Sequence, residues 1–124
     1  MIYYHYAELV HRQAEKYGSR TALKYRDNVT GKWLKISWKE FSEKVLLTAK
    51  AMAEFGIGVQ ENIGLYSQNM PQCFYTDFGA YANRAVSIPM YATNSPGQIE
   101  YIINDAHIHT LFVGEQLQYN NAFK

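Results

Sequence analysis

His107 and His109 stand one residue apart in "HIH", the spacing in this chain most suggestive of metal chemistry. On a β-strand both imidazoles would leave the same face and could share an ion. A zinc site needs a third and usually a fourth ligand, and Asp105 and His5 are the only loose candidates. Their place just ahead of the apolar run "TLFV" reads more simply as a helix-to-strand turn. Cys73 is the only cysteine; it sits beside Phe74 with no base near it in sequence, which fits a small buried thiol better than a nucleophile. No serine has the Gly-x-Ser-x-Gly spacing of a nucleophile elbow. Ser37, Ser67 and Ser95 read as caps or turn residues.

Phosphate chemistry has no better foothold. Gly31-Lys32 is followed by Trp33, so the lysine does not end a glycine-rich turn and open a helix. "GIGVQE", residues 56–61, begins like a dinucleotide fingerprint, but Glu61 stands where the third glycine belongs, and the motif follows a helix instead of a strand. "NVT", residues 28–30, matches a glycosylation sequon but reads as a turn. Asp77, Glu100 and Asp105 fall on different surfaces of two expected helices, so no carboxylate pair is implied. No residue is assigned a catalytic, cofactor or metal role.

The elements that would carry these groups are easier to read. Tyr6, Leu9, Val10, Gln13, Ala14 and Tyr17 recur at helical spacing, and Gly18 is placed to end that helix. Leu23 and Tyr25 alternate with Lys24 and Arg26, and Leu34 and Ile36 with Lys35; the turn from Asn28 to Gly31 makes these a β-hairpin. Ser37 and Glu40 form a capping-box pattern before a long helix with Trp38, Phe41, Val45, Ala49 and Met52 along one face and Gly56 as its stop. "NIGLYS" predicts a strand. Asn69 and Pro71 open a helix with Phe74, Phe78 and Tyr81 or Ala82 on one side. Ala85 to Ile88 predict a further strand, closed by Pro89; Ser95 and Pro96 start a helix through Asp105; "TLFVG" predicts the next strand, and "EQLQYNNAFK" a helix just begun.

From residue 38 the order is α-β-α-β-α-β. Strands separated by helical crossovers should be parallel, with right-handed connections and helices on both faces. We therefore expect an α/β fold in which a parallel sheet with flanking helices follows an N-terminal antiparallel hairpin. Helix and hairpin occupy about residues 5–37, and the alternating α/β part about 38–124, of one domain spanning 1–124. The loop from Met90 to Asn94 leaves the carboxyl end of a strand, where open α/β sheets tend to bind ligands.

Composition narrows the function classes. Twelve Lys and Arg against eleven Asp and Glu give a net charge of +1 with no basic stripe, which argues against nucleic acid. With one cysteine no internal disulfide can form, and a cytoplasmic address fits. The start of the chain lacks signal-peptide character, and no apolar run approaches the roughly 20 residues of a membrane helix. Eleven tyrosines suit half-buried faces and interfaces.

Taken in order, "TALKYRD", "KWLKISWKEFSEKVLLTAKAMAEFGI", "NIGLYSQNMPQCFYTDFGAYANRAVSIPMYATNSPGQIEYIINDA" and "LFVG" resemble the N-terminal part of the AMP-forming acyl-CoA synthetases, an adenylate-forming ligase superfamily, and within it the long-chain fatty acid CoA ligases. Three places depart from the family pattern: Gln60-Glu61 where Gly-Asp is usual, Cys73 where an aromatic residue is common, and Arg84-Ala85 where Gly-Ala is usual. The resemblance implies that a carboxylate attacks the α-phosphate of ATP, with Mg²⁺, to give acyl-AMP and pyrophosphate, and that the thiol of CoA then displaces AMP. It also implies that the phosphate loop, the nucleotide-binding motifs and the catalytic lysine lie in other parts of the polypeptide. This chain would then be a partial domain of a larger adenylate-forming enzyme, inactive and without cofactor by itself. The remainder of the same polypeptide would be its main partner, and a fatty acid the substrate of the whole. Contact with the inner face of a membrane and self-association through the tyrosine-rich N-terminal region stay open. The alternative is a self-contained flavodoxin-like binding module using the crevice at the strands' carboxyl ends.

Overall fold

The computed structural model describes residues 5–124, so the expected start of the domain at residue 1 lies outside the described residues. A 3-10 turn (Tyr6–Glu8) leads into α1 (Leu9–Tyr17), which ends at Gly18 with φ +41. Strands β1 (Thr21–Arg26) and β2 (Trp33–Ser37) form the expected hairpin. Asp27 organises its turn: the carboxylate accepts from both the amide and the hydroxyl of Thr30, and its carbonyl accepts from Gly31 N at 2.8 Å. The hairpin is a separate two-stranded sheet, not hydrogen-bonded to the larger one.

Helix α2 (Trp38–Glu54) starts at the full capping box: Ser37 Oγ accepts from Glu40 N, and the Glu40 carboxylate accepts from Ser37 N at 2.8 Å. Phe41, Val45, Ala49 and Met52 are its buried face, as the spacing predicts, while Trp38, expected on the same face, is only partly buried against Phe41; Gly56 follows the helix at φ +82.

The parallel sheet has the order β4-β3-β5, with β3 (Asn62–Tyr66) central between β4 (Val86–Met90) and β5 (Thr110–Val113). Crossovers run through α3 (Pro71–Ala82) and α4 (Pro96–Asp105), and α5 (Gln116–Ala122) follows β5. Ile63 packs with Ala80, Met52 and Ile57 on the α2 and α3 side, and Tyr66 with Met90, Ile99 and Ile108 on the α4 side. Helices thus cover both faces. Two crossovers of one hand produce this arrangement when the second steps back across β3. A third cluster, Val10, Phe41, Val45 and Phe78, joins α1 and α2 to α3 with the hairpin's Leu23 and Ile36 against it.

Three local readings need correction. β4 does not close at Pro89 but runs through it to Met90, beginning at Val86 instead of Ala85. It is an edge strand, where a residue without an N–H is tolerated. Met70, not Asn69, is the N-cap of α3, with extended backbone and no side-chain hydrogen bond. Of the expected stripe on α3, Phe78 is buried, but Phe74 is half exposed, Tyr81 partly buried and Ala82 exposed; lying between α2 and the sheet, the helix buries Thr76, Gly79 and Ala80 as well.

The turns into the three parallel strands each hold a non-glycine residue at positive φ: Gln60 (62°), Arg84 (58°) and His107 (51°). Two of them are the positions where the family pattern carries glycine. L-residues are strained there, so Gln60→Gly and Arg84→Gly should each stabilise the fold by about 0.5–1 kcal/mol. Thermal unfolding should show the midpoint rising by roughly 2–6 °C per substitution; an unchanged or lower midpoint would refute the strain.

Candidate functional site

At the carboxyl ends of β3 and β4 the structure opens a cleft of about 690 Å³. Its floor is Leu65 and Met90 at the strand ends, one wall is α3 with Cys73, Phe74 and Asp77, and the other is the loop Tyr91, Ala92, Thr93. Asp77 lies three residues after Phe74 and four after Cys73, which puts it beside both on one side of α3. The turn out of β3 is tied at one atom: the Gln68 carbonyl accepts from Ser67 Oγ at 2.8 Å and from Cys73 Sγ at 3.2 Å. Asp77 Oδ1 accepts from Ser87 Oγ at 2.7 Å, which fixes α3 against β4. Across the sheet, Gly114 lies so close to Ser67 that an added Cβ would meet its Cβ at 2.6 Å and its Cα at 3.0 Å, and only a smaller pocket of about 250 Å³ opens beside them among Met70, Cys73, Thr76 and Phe112.

Among the described residues, Asp77 is the only charged one lining this cleft. A lone carboxylate and no cation make it a poor place for a triphosphate, which wants Lys, Arg, metal or a glycine-rich amide cradle. A triphosphate therefore does not fit this cleft. What the lining suits is an apolar group: Leu65, Met70, Phe74, Pro89, Met90 and Tyr91 present hydrocarbon or aromatic surface. A second cleft of about 510 Å³ lies between β1 and the start of α3, where Lys24, Arg26, Asp27 and Glu115 mix both signs of charge.

Cys73, expected as a small buried thiol, is only partly buried and lines the cleft. His107 and His109 are exposed in the turn before β5, with Ile108 buried between them. Among the described residues no group of three or more His, Cys, Asp or Glu could hold a metal ion. Ser37 and Ser95 are helix caps, Ser95 in a second capping box with Gln98. Glu61 turns back to accept from Gly58 N at 3.1 Å. Burial, chiefly, raises the pKa of Tyr75 and Tyr81, with neighbouring acidic groups adding to it, so both phenols stay protonated at neutral pH and neither is a base. Hydrogen bonds from Thr30 and from Ser37 lower those of Asp27 and Glu40; each tie is present above the ordinary carboxylate range and is lost as the pH falls through the depressed value.

Of the cleft, the loop after β4 was foreseen. The wall from α3 was not, although the carboxyl-end rule applied to β3 points to it equally.

Comparison with known proteins bears on the same residues. The sequence profile of the family described as AMP-binding enzyme matches residues 10–123. The long-chain-fatty-acid–CoA ligase 6 of Rattus norvegicus is 31% identical over 83 residues, covering 65% of this chain and 12% of the relative. Long chain acyl-CoA synthetase 1 of Arabidopsis thaliana is 27% identical over 109 residues, covering 86% and 16%. The chain thus spans about one seventh of the length of such relatives. Among solved structures, the benzoate CoA ligase of Burkholderia xenovorans LB400 superposes with a TM-score of 0.83 at 20% identity, over 98% of this chain and 23% of that one. That likeness shows the fold, and the chain covers less than a quarter of that structure.

Proposed function

This chain belongs to the AMP-binding enzyme family, and we propose that it serves, as one part of a larger enzyme, in an ATP-dependent ligase that joins a long-chain fatty acid to CoA through an acyl-adenylate. The observation that carries this is the family match over residues 10–123, supported by the long-chain ligases among its relatives. In this reading the chain supplies binding surface and no reacting group. The apolar cleft at the ends of β3 and β4 borders the region that receives the acid. ATP, Mg²⁺ and CoA are held by other parts of the polypeptide. Among the described residues no helix is long and apolar enough to cross a membrane, and we place the enzyme in the cytoplasm, consistent with its single cysteine.

Product analysis tests the substrate class. The full-length enzyme, given ATP, Mg²⁺, CoA and an equimolar mixture of acetate, octanoate, hexadecanoate and benzoate, should form hexadecanoyl-CoA in excess over the other thioesters. A dominant benzoyl- or acetyl-CoA peak would reject long-chain specificity.

Tyr91 gives a residue-level check. It is 81% exposed and stands at the cleft edge, held only by its backbone, whose carbonyl accepts from Asn94 N at 2.9 Å. Tyr91→Ala in the full-length enzyme should raise KM for the acid by roughly three- to tenfold, the scale of one lost aromatic contact, and change kcat less than about threefold. Loss of turnover in a well-folded variant would assign Tyr91 a role in the chemistry instead.

A further inference from the structure

The cleft's outer loop is held from behind by side chains from two distant parts of the chain. Tyr66, at the end of β3, is fully buried, and its ring packs among Met90, Ile99 and Ile108. A phenylalanine would fill that space as well; the hydroxyl is the part that does something different. It donates to the carbonyl of Asn94 at 2.8 Å and accepts from Asn121 Nδ2 of α5 at 3.3 Å. One helical turn earlier Gln118, only 5% exposed, donates from Nε2 to the carbonyl of Ala92 at 3.2 Å. Two carbonyls of the loop are thus fixed from its inner side, while Tyr91, Ala92 and Thr93 line the cleft on its outer side.

We propose that Tyr66, Gln118 and Asn121 form a clamp that sets the position of the loop over residues 91–94, and so the width of the cleft offered to the acyl group. They are positioning residues: none lines the cleft. The loop also has its own turn, closed by Asn94 N to Tyr91 O, and the Ser95 cap behind it. Those bonds shape the loop internally, whereas the clamp ties it to β3 and α5 through side chains. The part played in acid binding rests on the ligase reading above; the clamping of the loop does not.

The test has two arms, both on the full-length protein with Tyr66→Phe, Asn121→Ala and Gln118→Met. The first is amide hydrogen exchange without ligands, and needs no activity. Each variant should exchange roughly three- to tenfold faster at residues 92–94, the effect of one neutral hydrogen bond, with β3 residues 63–65 unchanged. Wild-type exchange at 92–94 in Tyr66→Phe and Gln118→Met would overturn the clamp. The second arm is hexadecanoate-dependent pyrophosphate–ATP exchange, where KM for the acid should rise roughly three- to tenfold with kcat within about twofold. Faster exchange at the loop with an unaltered KM would overturn its role in setting the cleft, and a fall in kcat alone would do the same. If the wild-type protein activates no acid, the ligase reading fails and the first arm alone decides the clamp.

Discussion

Phe41→Ala should cost about 3–5 kcal/mol of folding stability, the range for deleting a fully packed aromatic side chain. Phe41 is only 3% exposed, and its ring meets four others: Trp38 on its own helix, and Phe74, Tyr75 and Phe78 on α3, at centroid distances of 5.8–6.4 Å. The contacts to Phe74 and Phe78 are edge-to-face, with interplanar angles of 82° and 89°. Such geometry adds to simple burial, and a cavity left between two helices closes only in part. A domain of this size has a stability on the order of 5–15 kcal/mol, so the variant should unfold at clearly lower urea and, at the low end of that range, near ambient temperature. Urea denaturation measures it directly; a loss below about 1.5 kcal/mol would mean that α2 and α3 are held together mainly by other contacts. The consequence reaches the cleft, because Phe74 leans on Phe41 from one side and lines the cleft on the other.

Gly114→Val should be similarly damaging, for the opposite reason. Here nothing is removed. An added Cβ would lie 2.6 Å from the Cβ of Ser67 and 3.0 Å from its Cα, and rotating the serine hydroxyl relieves neither contact. Overpacking of this kind costs roughly 1–3 kcal/mol, and more where backbone must move. The backbone in question pairs β3 with β5: Gly114 N donates to the Tyr66 carbonyl at 2.9 Å. Ser67→Gly in the Gly114→Val background should recover part of the loss by removing the opposing Cβ, and a double-mutant cycle on thermal or urea unfolding reads that recovery as a coupling term. Additive effects of the two substitutions would show that the close approach is not what excludes a side chain at position 114.

Much of the architecture was legible because local signals agreed with the tertiary arrangement. The Ser37–Glu40 box, the Phe41–Val45–Ala49–Met52 spacing and the alternation of the hairpin each depend on neighbours a few residues away, and each is realised. The errors have physical causes. Pro89 stays within its strand because β4 is at the sheet edge, a fact of strand order and not of sequence. Asn69 has the usual capping chemistry, yet the chain enters α3 one residue later, at Met70. Phe74 fits a buried stripe by spacing but faces a cleft whose other wall comes from residues 91–93. The clamp was out of reach for a similar reason. Tyr66 meets Asn94 across 28 positions and Asn121 across 55, and single-sequence periodicity carries no information at that range.

The most direct test of the central claim is acid-dependent pyrophosphate–ATP exchange, run in parallel on the full-length enzyme and on these 124 residues alone, with hexadecanoate and Mg²⁺. If this chain supplies binding surface to a ligase whose reacting groups lie in other parts of the polypeptide, the full-length enzyme exchanges label only when the acid is present, and the isolated chain shows none above a no-protein control. Robust hexadecanoate-dependent exchange by the isolated chain would contradict the account, because it would place a complete adenylating site within these residues.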